Sequence, residues 1–260
     1  MKRWLKPLQW LYCIYAFVAF VAIMLVIFPF AVLASFLGKI KGGNLVLRLC
    51  MLWADAWFAL VFIHFRRIYE VPHDKTRSFI FLSNHISYLD AAVIVKAYRQ
   101  PFRPLGKAEM KKIPVFGFIY NRTIVSVHRS NPNDRANSVR LLKSITRKGI
   151  SVLVFPEGTF NMTSQPLKEF YDGAFRVAIE TQIPLKPVLF PDNYDRMNYR
   201  SVFSLNPGRC RIIYLAEIPV EGLTLADMGK LKKQTFDIMS EKLREYNASW
   251  ISEEPILIVS

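Results

Sequence analysis

Ser78-Phe79-Ile80-Phe81-Leu82-Ser83-Asn84-His85-Ile86-Ser87-Tyr88-Leu89-Asp90 is the stretch on which the fold turns. Ser78 to Ser83 is a short apolar run that reads as a buried strand, and Ala91 to Tyr98 reads as a helix. The polar cluster between them therefore sits on a loop at a strand end. The same alternation continues downstream, with strands at Ile124–Val127, Ile150–Phe155 and Leu185–Phe190 and helices at Asp134–Lys148 and Ala174–Thr181. Strands alternating with helices predict an α/β fold whose sheet is covered on both faces. Ligands of such sheets bind beyond the C-terminal ends of the strands, which singles out the residues after Ser83 and after Phe155. A final amphipathic helix, Leu225–Tyr246, carries mixed charges and no evident chemistry.

Upstream the pattern is different. No charged residue occurs from Leu8 to Leu37, and at about 1.5 Å per residue a helix of that length exceeds the roughly 30 Å hydrocarbon core. Lys2, Arg3 and Lys6 with Val32-Leu33-Ala34 resemble a secretory leader, but the apolar run is longer than the roughly 7–15 residues of a leader core, so retention is expected. Pro29 leaves two courses, a tilted span or a bent hairpin entering one leaflet. A second apolar stretch, Leu45 to Phe65, contains Arg48 and Asp55, which favour an interfacial helix; a core helix under the domain is the alternative. The expected division is residues 1–66 as membrane-associated helices and 67–260 as the α/β domain. Lysines flank both ends of the first segment, so charge does not orient it.

The 260 residues are 52% hydrophobic and carry 35 Lys and Arg against 20 Asp and Glu, a formal charge of +15. Such a field favours anionic partners. No helix-turn-helix, zinc or RNA-binding aromatic motif accompanies it, so anionic lipid explains the charge better than nucleic acid does. Cys13, Cys50 and Cys210 form no CxxC or even framework, and the four histidines have no metal-ligand spacing; no disulfide, metal or cofactor is expected.

A loop histidine followed five residues later by a carboxylate can form a base and its orienter. Asp90 would accept from one ring nitrogen of His85 and leave the other free to take a proton. Positions i and i+5 share no helix face, so the pair needs the turn between strand and helix. Ser87-x-x-Asp90 also has the spacing of a capping box, a structural role compatible with the first. Phe155-Pro156-Glu157-Gly158-Thr159 follows another buried strand, where a plain turn is the ordinary reading. Between the two clusters lie the basic segment Lys107–Lys112 and Arg129, residue types suited to a phosphate.

Asn84–Asp90 resembles the His-x-x-x-x-Asp motif of the glycerolipid acyltransferases, and Val154–Thr159 is similar to their third motif. The resemblance runs through Lys107-Ala108-Glu109-Met110, Ile113-Pro114, Gly117, Val127-His128-Arg129-Ser130-Asn131, Phe170 and Gly173-Ala174-Phe175 to Ile183–Val188. It covers roughly residues 70 to 190 and resembles the 1-acylglycerol-3-phosphate O-acyltransferase family. It implies a mixed sheet flanked by helices after an apolar N-terminal membrane motif, placed at the cytoplasmic membrane with the catalytic domain facing the cytoplasm. It implies transfer of a fatty acyl chain from acyl-CoA or an acidic acyl-carrier protein to a lysophospholipid hydroxyl, giving phosphatidic acid without a metal. His85 and Asp90 would be catalytic. Asn84, Ser87, Lys107, Arg129, Glu157, Gly158 and Thr159 would bind substrate, and Pro184 and Pro187 would support the acyl side. Two departures stand out: Phe160 where the family commonly has arginine, and His128 before Arg129 where it usually has aspartate. Losing a guanidinium removes a phosphate clamp, so a lyso-aminolipid such as lyso-ornithine or lyso-glycine lipid is the rival acceptor. A non-catalytic lipid-binding relative is the rival of another class.

Overall fold

The computed structural model describes residues 6–127 and 132–252, excepting the side chains of 127, 132–136 and 138. The chain begins with helix α1 (Lys6–Ser35), reverses through a π turn at Gly38–Gly42 and returns as α2 (Gly43–Leu60). Then follow β1 (Ile63–Tyr69), β2 (Ile80–Leu82), α3 (Asp90–Ala97), β3 (Phe102–Lys107), α4 (Phe116–Thr123), β4 (Val125–Val127) and α5 (Pro132–Thr146). The remainder is β5 (Ser151–Val154), α6 (Gly173–Thr181), β6 (Leu185–Leu189), the short α7 (Asn193–Arg196), β7 (Gly208–Tyr214) and α8 (Met228–Glu245).

The seven strands form one sheet in the order β1-β7-β6-β2-β5-β3-β4. Neighbours are parallel except β6 and β7, so the sheet is mixed. Alternate residues feed opposite faces, as the period of two requires. Ile80, Leu82, Val152 and Leu185 pack with α6 and α8 on one face. Phe81, Leu153, Val188 and Ile212 pack with α1, α2 and α3 on the other. Both faces being covered accounts for strands that read as continuous apolar runs.

The Leu45–Phe65 stretch divides differently from the interfacial helix expected of it. Phe62 takes a positive φ of 54°, the helix ends, and Ile63 starts β1 ahead of the boundary expected between residues 66 and 67. Val46, Leu47, Ala54, Trp57 and Phe58 of α2 are buried, while Asp55 pairs with Lys96 and Arg99 at the end of α3. The mid-helix carboxylate is thus neutralised by the domain, and one face of α2 packs into the core while Leu45, Leu52 and Leu60 stay exposed.

Helix α1 continues through Pro29 without interruption. It lies along α2, where Trp57 Nε1 donates to the Ala16 carbonyl at 2.8 Å and Trp53 Nε1 to that of Phe20 at 3.2 Å. Ala31 and Ala34 pack with Val46 and with Ile119 of α4. The opposite side leaves Leu8, Leu11, Phe17, Val18, Val26, Phe30 and Leu33 exposed. Helix α1, and the helical stretch Gly38–Leu60, are each long and apolar enough to cross a membrane.

Candidate active site

β2, β5 and β6 are parallel neighbours, so the residues after them emerge on one edge of the sheet. That edge brings together Asn84–Asp90, Phe155–Phe160 and the segment leading to Asn193. His85 Nδ1 lies 2.8 Å from Asp90 Oδ2. The same oxygen accepts from the Ile86 and Ser87 amides at 2.9 and 3.0 Å, and Oδ1 accepts from Asn193 Nδ2 at 2.7 Å. With Oδ2 accepting, Nδ1 carries the ring proton and Nε2 keeps its lone pair. The Asp90 side chain is 0% exposed and that of His85 20%, so a buried acceptor orients a ring that still reaches solvent. Asp90 is also the first residue of α3, where a carboxylate complements the helix dipole. The expected capping box is not formed: the N-cap of α3 is Leu89, with no side-chain cap bond, and the Ser87 hydroxyl accepts from the Leu89 amide while Asp90 orients His85.

Aromatic rings fix the imidazole laterally. Phe155 stacks on it with centroids 4.2 Å apart at 18°, and Phe160 meets it at 4.4 Å and 60°. Tyr88 closes edge-on over Phe160 at 5.0 Å. The residue that departs from the family pattern is thus a wall of the histidine's own environment.

Main-chain bonds hold the His85 loop at both ends. Glu157 Oε1 accepts from the His85 amide at 2.8 Å, its Oε2 accepts from the Lys168 amide at 2.9 Å, and the Asn161 amide donates to the His85 carbonyl at 2.7 Å. Glu157 is 1% exposed. Burial pushes its carboxyl up to about 8, against the pull of the Lys168 and His85 amides. Because the folded value lies above the ordinary 4.5, this group's contribution to stability is complete below that pH and is lost as pH rises through about 8. Glu157→Gln should flatten this decline. Thermal unfolding of both proteins across this pH range is the check; parallel profiles would rule out a buried, titrating Glu157.

Gly158 has a positive φ of 71°, and a Cβ there would meet the Tyr171 ring at 2.6 Å, so the turn requires glycine. Thr159 caps no helix; its Oγ1 accepts from Lys168 Nζ at 2.6 Å. Lys107 ends β3, the strand beside β5, and is exposed. Arg129 lies outside the described residues. Pro187 is buried within β6, and Pro184 precedes that strand, at the sheet edge opposite His85.

Three expected substrate contacts are corrected, Glu157 among them, since it is 1% exposed and its two oxygens are taken up by the His85 and Lys168 amides. Asn84 is 1% exposed and uses both ends of its amide on the Phe190 backbone, at 2.8 and 3.3 Å, so it ties β2 to β6 instead of facing a ligand. Ser87 is buried; its hydroxyl donates to the Met197 carbonyl and accepts from the Leu89 amide. Asn193 and Lys168 were missed. Asn193 follows a buried strand, so its place at a strand-end edge was readable, but its meeting with Asp90 was not.

A buried carboxylate, an oriented imidazole and a ring nitrogen uncommitted among the described residues form, at a strand-end edge, an arrangement able to deprotonate a hydroxyl for acyl transfer. Residues 63–190, just under half of the chain, match the family model described as Acyltransferase. It is 26% identical over 221 residues to the mouse 1-acyl-sn-glycerol-3-phosphate acyltransferase alpha, covering 83% of this chain and 76% of that one. An uncharacterized acyltransferase of Schizosaccharomyces pombe is 28% identical over 174 residues; the match spans 66% of this chain but only 62% of the yeast protein. The crystal structure of the 1-acyl-sn-glycerophosphate acyltransferase PlsC from Thermotoga maritima superposes with a TM-score of 0.73 at 23% identity. That comparison covers 97% of this chain and 100% of the other, and concerns the fold.

Proposed function

We propose that this protein transfers a fatty acyl chain from a thioester, acyl-CoA or acyl-carrier protein, to the free hydroxyl of 1-acylglycerol-3-phosphate, giving phosphatidic acid. The observation that carries this reading is the 2.8 Å contact between His85 Nδ1 and Asp90 Oδ2, which leaves Nε2 as base. Nε2 takes the hydroxyl proton as the oxygen attacks the thioester carbonyl. The C–S bond then breaks, and the imidazolium returns the proton to the leaving thiolate. A thioester is already reactive, so alignment and proton removal supply what the reaction needs. Histidine can also act as a nucleophile, but that route adds a step a thioester does not require.

For the acceptor phosphate, Lys168 is the cation the geometry favours. Among the described residues its ammonium bonds Thr159 Oγ1 and pairs with no carboxylate. Lys107 and Arg129 are the other candidates. Lys168→Met should raise KM for the phosphate-bearing acceptor about tenfold with kcat little changed, in line with one charge-assisted contact. Lys168→Arg should restore most of it. An unchanged KM would remove Lys168 from the acceptor site.

The contact of Phe160 with His85 favours a second reading, in which the acceptor is a lyso-aminolipid with no phosphate to clamp. A panel of lysolipids differing only in headgroup, offered to the purified enzyme with labelled acyl donor, separates the two. No turnover of lysophosphatidic acid would reject the first; no turnover of any lysolipid would reject both.

Both ends of α1 rest on the α/β domain, near Leu205 at its start and on Ile119 at its end. A helix anchored on the domain at both ends and packed on α2 between them favours a monotopic protein whose α1 lies in one leaflet. The charge of +15 favours an anionic leaflet, and the proposed thioester donors favour a domain on the cytoplasmic side.

A further inference from the structure

The segment between β6 and β7 contains a short turn at Val202–Ser204 that seats against the start of α1. Gln9 Nε2 donates to Asn206 Oδ1 at 3.2 Å, and Cys13 Sγ lies 3.8 Å from the Leu205 carbonyl oxygen. Phe203 meets Trp10 with ring centroids 5.8 Å apart. Yet Val202 remains 52% and Phe203 47% exposed, as do Trp10, Leu11 and Ile14 beside them. Leu205 alone turns inward. Two large apolar side chains at the tip of a turn, next to Arg200, gain nothing from water. They extend the exposed apolar surface of α1 towards the edge that holds His85.

We propose that the Val202–Phe203 turn is a second membrane contact, inserting beside Trp10 into the headgroup boundary and setting the His85 edge against the lipid surface. The proposal rests on the monotopic reading of α1. Its occupant is the bilayer because the patch is continuous with α1, combines aromatic and aliphatic side chains, and has a flanking arginine for lipid phosphates. The turn is also joined to the site. Ser87 Oγ donates to the Met197 carbonyl, Asn193 donates to Asp90, and the Asn206 amide returns to the Arg196 carbonyl at 2.7 Å. One short segment therefore links the membrane-facing tip to the carboxylate that orients the histidine.

The test uses the full chain in vesicles of phosphatidylethanolamine and phosphatidylglycerol. A polarity-sensitive fluorophore on Phe203→Cys should shift to the blue on vesicle addition and be quenched by lipids nitroxide-labelled near the headgroup. The same label on Lys230→Cys, on α8 across the sheet, should do neither. Phe203→Asp should raise the apparent KM for acceptor embedded in vesicles about tenfold and leave turnover of a short-chain, monomeric acceptor unchanged. A label at 203 that stays in water, or a KM equal to wild type in vesicles, would overturn the proposal. The fluorescence arm needs no turnover, so failure of the acyl-transfer reading is distinguishable from failure of this one.

Discussion

His85→Ala should lower acyl transfer by about 10²–10⁴-fold or more, the range a positioned general base supplies, while the protein remains folded. The fold should survive because Asp90 keeps its bonds from the Ile86 and Ser87 amides and from Asn193 when the imidazole is removed. The loop also keeps its main-chain anchors on Glu157 and Asn161. Phe155 and Phe160 lose the ring between them, a packing change at a partly exposed position. Release of free thiol from the acyl donor in the presence of lysolipid measures the rate, and thermal unfolding measures the fold. A variant as active as wild type would show that His85 is not the base.

Asp90→Asn should reduce kcat by about 10³–10⁴-fold, the scale seen when a buried aspartate that orients a catalytic histidine is made an amide. The reason is donor against donor. If the asparagine oxygen keeps Asn193, its NH₂ faces the His85 Nδ1–H and two backbone amides at the position of Oδ2. The ring then shifts its proton to Nε2 or turns away, and in either case the lone pair needed for proton removal is lost. Stability should fall as well, by about 1–3 kcal/mol for the buried groups left unpaired. The kinetic and thermal effects should separate, with KM for the acceptor changing much less than kcat. A folded variant with wild-type kcat would contradict the orienting role.

Legibility in the sequence followed burial. β2, β5 and β6 sit in the middle of the sheet, and their apolar runs announced them. β1 and β7 lie at one end of it and carry Arg66, Arg67, Arg209 and Arg211, so their signal was broken by charges that reach solvent, bond the Lys96 carbonyl or pair with Asp192. β3 contains Pro104 and Gly106, residues that count against a strand. The apolar stretch over Leu45–Phe65 hid a boundary because helix and strand are both greasy there, and composition does not mark where a period changes from 3.6 to 2.

For the site, residues close in sequence were legible and those brought by topology were not. His85 and Asp90 are separated by one turn, so their meeting depends on local geometry that the loop residues encode. Asn193 reaches Asp90 across 103 positions because β6 lies beside β2, an adjacency no local pattern states. The roles of Asn84 and Ser87 changed for the same reason: a polar residue in a loop looks available until the neighbouring backbone that consumes its hydrogen bonds is placed. Short-range order thus follows from side-chain pattern, since strands, helices and the His85 turn depend on nearby residues. Strand adjacency depends on how all the apolar faces are buried together, and it is what places Glu157 under the His85 amide, Asn193 on Asp90 and Phe203 beside Trp10.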